Sequence, residues 1–482
     1  MAILSDVVKK IVFLNQNGKI ITFFVFIPVL INFVLNINER IVLSELINLI
    51  QILYIIITIA AIYLICQLVQ KTFKFELLTS GFFIFINSFF IVDNIYLIFN
   101  LDVNFRLHIF LTLIFWILFL LIREKDFKKI LLIIFLIIAS NLFFKIFSSN
   151  FVFFSGSHHD VIYQWQPAFE MLVQDDYLYL LYNSIPGYGM YATYIQGVIA
   201  SLGNLLTFAE PSILITFVLN FFYIKLIFEM KSNKFNKFII SLLFVSVVLN
   251  SGWLQTLFLS SLMLESIVSP LFAIFVFTVL SEKNPKNKYL ILIVGSYLFF
   301  AKFFINYLTV LFLIFYFIRF KKPFYFILFF GIINNFIVYN YTLITKPTIP
   351  YLNGVNFNIF LLDLIDLNTE NIAKIIEIFK NFLIDKILIY LLIVLLIIVF
   401  INTIYLNFTI ELLVPNVLFL LNIFLVLILY TTVWSTFEVA SSYRYIMNLF
   451  HLIFYLFLLN FELLSSKNLN LKTKNRILNP SL

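Results

Sequence analysis

The chain has 482 residues, 63% hydrophobic and only 12% charged, with a mean hydropathy of +1.06; soluble domains carry about one-quarter charged residues, so a water-soluble globular fold is excluded. The net charge of +8 is no nucleic-acid signal, because Lys and Arg fall in short clusters between apolar runs, where the positive-inside rule accounts for them. A single cysteine, Cys66, inside an apolar run leaves neither a disulfide framework nor a thiolate metal site.

Apolar runs of about 20 residues recur along the chain, the length a hydrocarbon core of about 30 Å requires. They are continuous rather than alternating, which predicts helices and not a barrel. The first spans fall near 20–36, 46–69, 77–98, 107–122 and 130–148. The first of them is too long, and too weakly flanked by small residues, for a cleaved signal peptide. The short links with Lys71 and Lys74, then Arg123, Lys125, Lys128 and Lys129, are basic and are expected on the cytoplasmic side. That orientation puts the N-terminus inside and residues 149–188 outside.

Residues 149–190 hold the densest polar chemistry: His158, His159, Asp160, Glu170, Asp175, Asp176 and several tyrosines. A helix over 160–173 would align Ile162, Trp165, Phe169, Leu172 and Val173 on one face, with Asp160, Gln164 and Pro167 opposite. This predicts a helix lying on the membrane surface, apolar side down. Asp160 also fits an N-cap, and Pro167 a helix start with the His-His-Asp segment in a loop. Asp175 and Asp176 suit either a solvated turn or a divalent metal ion.

Farther on, 190–208 and 212–230 both look long enough to span. Only an odd number of crossings can join an outer loop to the Lys231–Lys237 cluster. One of the two is therefore expected to be interfacial or re-entrant, and Gly197, Gly203, Glu210 and Pro211 favour the first. Spans near 238–258, 323–345, 385–403, 410–432 and 445–463 follow, with a hairpin of 289–303 and 305–318. Counting back from the basic tail (Lys467, Lys472, Lys474, Arg476) places 346–384 and 434–443 outside. The expected fold is all-α, a polytopic bundle of about 14 spans (roughly 12–15) whose outer loop carries juxtamembrane helices.

Glu265, Lys302 and Arg444 are ionisable residues at or near the outer ends of spans. Such groups are costly unless paired, facing a polar cavity, or snorkelling, an option open to Lys302. With Asp160 they put both signs of charge on one leaflet. That combination suits a phosphorylated, membrane-held substrate, with Arg and Lys on phosphate and a carboxylate for proton transfer. Asp93 and Lys145 are more isolated and are read as structural.

From about 149 to 463 the order of these features resembles the GT-C superfamily of integral membrane glycosyltransferases, which includes protein mannosyltransferases and lipid A aminoarabinose transferases. Asp160, followed by Tyr163, stands where that superfamily carries an essential Asp in its first large outer loop. The run Ile185 to Tyr191, with Pro186, is similar to its Pro-containing approach to the membrane, and Leu202-Gly203 to its short Leu-Gly turn. Glu265 to Pro270 looks like its acidic residue and Pro at a span start. Gly295 with Lys302 looks like its Gly-rich helix ending in Lys, and Arg444-Tyr445 like its late Arg-Tyr. The chain departs from the pattern in carrying four extra spans before the acidic loop and Val161 after Asp160.

The resemblance implies an N-terminal five-helix membrane region (1–148), an extracytoplasmic loop (149–190), a GT-C-like transmembrane core (191–463) and a basic cytoplasmic tail (464–482). It implies Asp160 as general base. His158, His159, Glu170, Glu265, Lys302, Tyr443 and Arg444 would contact substrate or phosphate, and Asp175 and Asp176 are the candidates for a metal. The expected partners are a polyprenyl-phosphate-linked sugar donor and membrane lipids, not nucleic acid, at a bacterial inner membrane. An envelope polysaccharide polymerase or ligase is an alternative that would rest on His158, His159 and Arg444. A transporter or flippase is a third, less favoured because midplane charges are few and no repeat is evident. No P-loop or Rossmann glycine pattern points to a nucleotide-sugar donor.

Overall fold

The computed structural model describes residues 49–98, 104–147, 169, 170, 172, 191–204, 212–230, 234–250, 264–300 and 450–465, with short helical pieces within 308–316, 372–377, 393–397 and 415–422. All regular structure among these residues is helical. In chain order the elements are α1 (Leu49–Phe73), α2 (Leu78–Ile98), α3 (Phe105–Glu124), α4 (Phe127–Phe147), α5 (Tyr191–Gly203), α6 (Ser212–Glu229), α7 (Lys234–Asn250), α8 (Leu264–Ser281), α9 (Pro285–Gly295, running into a 3-10 turn at Ser296–Phe300) and α10 (Phe450–Ser465).

Segments dominated by Leu, Ile and Phe close into helices because a helix pairs its own backbone groups where no water is available. Among the described residues, α1 from Ile50, α3 and α4 are long and apolar enough to cross a membrane. Along α4, Phe127, Leu131, Phe135, Ile138, Leu142 and Ile146 are each between 47% and 65% exposed. An apolar wall of this extent is unfavourable in water and compatible with acyl chains. The chain is a helical membrane protein.

The expected spans 46–69, 77–98, 107–122 and 130–148 appear as α1 to α4, shifted by up to four residues at their ends. Local signals set those ends. Asn104 caps α3 by accepting from the N–H groups of Arg106 and Leu107, both at 3.1 Å. Asn284 caps α9, with Pro285 in the first turn, where its missing N–H costs nothing. Helices α1 and α2 approach closely at Gly81, where an added Cβ would lie 2.7 Å from the carbonyl oxygen of Cys66.

One end of the bundle gathers four chain reversals or helix ends and most of the described lysines. Lys71 at the end of α1 pairs with Glu124 at the end of α3, at 2.5 Å. Glu229, the last residue of α6, accepts from the backbone N–H groups of Leu78 (3.0 Å) and Thr79 (3.2 Å), satisfying the open start of α2. Asn287 of α9 donates to the carbonyls of Phe73 and Lys74, closing the end of α1. Between α8 and α9, Glu282 accepts from the N–H groups of Glu76 (3.2 Å) and Asn284 (3.3 Å). Burial nevertheless holds its carboxyl above the usual glutamate range. The links predicted to share one side of the membrane thus share one end of the bundle, termed here the basic end.

Of the doubtful pair 190–208 and 212–230, the structure describes α5 over Tyr191–Gly203 and α6 over Ser212–Glu229. Every residue of α5 is buried, so it runs through the protein rather than along its surface. Tyr191 at its start donates to Asn87, near the middle of α2. Gly203 at its end meets Tyr54, near the start of α1 and remote from the basic end. The described residues of α5 therefore lie in the half of the bundle away from the basic end, whereas α6 runs from Leu214, beside Gly203, to Glu229 at the basic end.

Backbone groups at a buried helix end need partners. Two polar residues of α4 supply them for α5: Asn141 donates to the carbonyl of Leu202 and Ser140 to that of Gly203, both at 3.5 Å. Ser140 also bonds Thr58 of α1 at 2.5 Å. The expectation that Phe169 and Leu172 lie against lipid needs correction. They are 1% and 0% exposed, and Leu172 reaches Gly197 of α5, where an added Cβ would stand 2.8 Å from its side chain. A helical glycine opens a slot into which this leucine packs, so the face is covered by protein.

Candidate functional site

Two buried polar assemblies stand in the half of the bundle that holds α5. The first joins α2, α3 and α5. Tyr191 donates to Asn87, whose amide donates in turn to the carbonyl of Phe83 at 2.7 Å. Tyr194 donates to the carbonyl of Phe89 at 3.1 Å, and His108 Nε2 meets the same carbonyl at 3.0 Å. The ring of Phe90 takes edge-on contacts from Tyr191, Tyr194 and Tyr297, with centroids 5.1–5.3 Å apart. Edge-to-face packing of this kind adds to plain burial. The assembly fixes the start of α5 immediately after the segment that carries Asp160.

The second assembly joins α6, α8 and α10 around His451, which is fully buried. Its Nδ1 lies 2.9 Å from Ser269 Oγ and its Nε2 2.9 Å from Asn220 Oδ1. Its backbone N–H donates to Ser269 Oγ at 3.2 Å, and Tyr223 donates to its carbonyl at 2.5 Å. One neutral tautomer serves every partner: Nε2–H donates to Asn220, and Ser269 donates to Nδ1. Pro270 follows Ser269 within α8 and removes one helical donor at this level. Farther along, Tyr455 of α10 packs on Phe277 of α8, so the two helices run in the same direction, away from Glu265.

Of the ten candidate site residues, two fall among those described. Glu170 is half-buried beside Phe169. Glu265 stands in the first turn of α8, one turn before Ser269, at the end opposite the α8–α9 turn. His158, His159, Asp160, Asp175, Asp176, Lys302, Tyr443 and Arg444 lie outside the described residues. Asp93 is buried in α2 and Lys145 is exposed on α4. Among the described residues, no group of three or more His, Cys, Asp or Glu could hold a metal ion.

His451, His108, Asn87 and Asn220 are not among the residues that the sequence pattern singles out. A signal was present, since a histidine or asparagine inside a continuous apolar run is costly unless it is partnered. What no spacing conveys is that His451 finds its partners on helices that begin about 180 and 240 residues earlier in the chain. In chemical terms both assemblies are positioning devices: their hydrogen bonds are internal, the first tying together α2, α3 and α5 and the second α6, α8 and α10.

No protein-family model, curated protein or solved structure matches the chain.

Proposed function

We propose that the protein transfers a sugar from a polyprenyl-phosphate-linked donor to an envelope lipid, glycan or protein acceptor at the outer face of a bacterial inner membrane. In this reading the basic end is cytoplasmic, as are both chain termini, and the bundle has about 14 spans. The observation that carries the reading is the placement of α5. Its residues Tyr191–Gly203 are wholly buried in the half away from the basic end, and the segment bearing Asp160 precedes them in the chain. Glu265 opens α8 at that same end, and α8 packs against α5. A polypeptide segment rich in polar groups that leads into this half of the bundle suits a reaction whose donor is held in lipid and whose acceptor arrives from water.

Asp160 would take the proton of the acceptor hydroxyl as that oxygen attacks the anomeric carbon. The bond from that carbon to the donor's phosphate oxygen breaks, and the polyprenyl phosphate leaves with the electron pair. Lys302 and Arg444 would stabilise the charge growing on the departing phosphate, with Tyr443, His158, His159, Glu170 and Glu265 shaping the pocket. Asp175 and Asp176 would hold a divalent cation if the reaction uses one.

The test is Asp160→Asn in the full chain, assayed for transfer of radiolabelled sugar from lipid extract, with membrane insertion checked alongside. Transfer should fall by at least about 100-fold, the scale of a lost general base. Undiminished transfer by a properly inserted variant would refute the mechanism. Accumulation of one polyprenyl-phosphate sugar in cells lacking the protein would identify the donor.

A further inference from the structure

Two residues other than glycine adopt the left-handed backbone region among those described: Lys74 with φ 56° and Lys125 with φ 53°. Each directly follows the end of a long apolar helix, Lys74 after α1 and Lys125 after α3. Glycine is the residue that takes this position without strain. A lysine here is tolerated, but it is not what the backbone favours. The two helix ends are also neighbours, because Lys71 and Glu124, one turn or less before each of these lysines, form an ion pair.

Around that pair the charge is lopsided. Glu124 is engaged by Lys71 and Asp126 by Lys129. Lys74, Arg123, Lys125, Lys128 and Lys286 are all exposed, and none has a carboxylate partner among the described residues. Lys286 joins the group because Asn287, beside it, bonds the carbonyls of Phe73 and Lys74. Two large apolar side chains interrupt the cations: Ile122 is 73% exposed and Phe127 62% exposed. They continue the lipid-facing wall of α3 and α4 up to the level of the charges.

We propose that this surface binds the headgroups of anionic phospholipids in the leaflet that the basic end meets. A phosphodiester headgroup supplies the negative charge that the five cations lack. The acyl chains below it supply the apolar surroundings that Ile122 and Phe127 need, which distinguishes a lipid from a water-borne anion such as a nucleotide. Clusters of basic residues next to a spanning helix attract anionic lipid in this way. Lysine in place of glycine at the two helix ends then places cations where the bilayer surface begins. The inference needs only a membrane protein and is independent of sugar transfer.

The variant to use is Lys74→Gly with Lys125→Gly, since glycine suits both backbone positions and the turns should fold as before. The full chain is reconstituted in phosphatidylcholine vesicles holding a minor share of phosphatidylglycerol. Spin-labelled analogues of each lipid then report which is held at the protein boundary. Phosphatidylglycerol should be enriched several-fold over phosphatidylcholine for the unaltered protein, and the preference should fall towards parity in the double variant and in high salt. Lys145→Gln, at the other end of α4, should keep the full preference. Equal preference in the unaltered and double-variant proteins would overturn the proposal. So would displacement of the bound lipid by millimolar inorganic phosphate, which would indicate a site for small anions.

Discussion

Glu282 shows how a single carboxylate can join distant parts of the chain at a cost that depends on pH. It accepts two backbone N–H groups, one of them from Glu76, and both favour its charged form. Burial is the larger influence and leaves its pKa raised. A raised folded-state value means that protonation favours the folded chain. The associated stability is fully present below the ordinary glutamate value of about 4.3 and is lost as pH rises through the folded-state value. The thermal midpoint of the detergent-solubilised protein should therefore decline across that interval, and Glu282→Gln should decline less. Parallel profiles for the two proteins would show that Glu282 does not titrate in this range. The exposed ion pair of Lys129 with Asp126 should by contrast matter little, about 1 kcal/mol or less.

At the scale of elements, α5 and α10 illustrate how helices are held where lipid cannot solvate their polar groups. Helix α5 ends inside the protein, and Ser140 and Asn141 of α4 meet its last carbonyls. Helix α10 is registered against α6 and α8 by the bonds of His451 to Asn220 and Ser269. Removing that imidazole takes one hydrogen bond each from buried Ser269 and half-buried Asn220 and leaves a void among Tyr223, Phe244 and Phe450. We expect His451→Ala to cost about 2–4 kcal/mol, measured by unfolding in mixed micelles. Ser269→Ala removes less volume and should cost less. A loss for His451→Ala under about 1 kcal/mol would mean that other contacts set the register of α10.

For the molecule as a whole, the clustering of turns at one end yields a prediction of sidedness. Cysteines introduced at Lys128 in the α4 start and at Lys286 in the α9 start should react from the same side with an impermeant maleimide. Cysteines at Ser155 and Gln174, in the segment preceding α5, should react from the opposite side. The native Cys66 is buried and should give little background. Labelling of Lys128 and Lys286 positions from opposite sides would contradict the arrangement of α1 to α9. Reaction of the Ser155 position from the basic side would instead mean that α4 does not cross.

The sequence by itself determined the class of protein and the limits of the first four described helices. A run of about 20 apolar residues has only one way to satisfy its backbone in lipid, and Asn104, Asn284 and Pro285 mark helix starts through local chemistry alone. Lysine spacing likewise made legible which links share an end. Hydropathy cannot measure depth: 190–208 and 212–230 both look long enough to span, and only Gly197, Gly203, Glu210 and Pro211 make the first the better candidate for a segment that does not cross. Only the tertiary structure shows what surrounds Tyr191–Gly203, because the partners of α5 (Asn87, Tyr54, Ser140 and Asn141) are tens to more than a hundred residues away. The same holds for His451, and for the face of Phe169 and Leu172, which periodicity assigned to lipid and the slot at Gly197 assigns to protein. A pattern along one helix reports that a face is apolar; which neighbour covers that face is settled only where the helices meet.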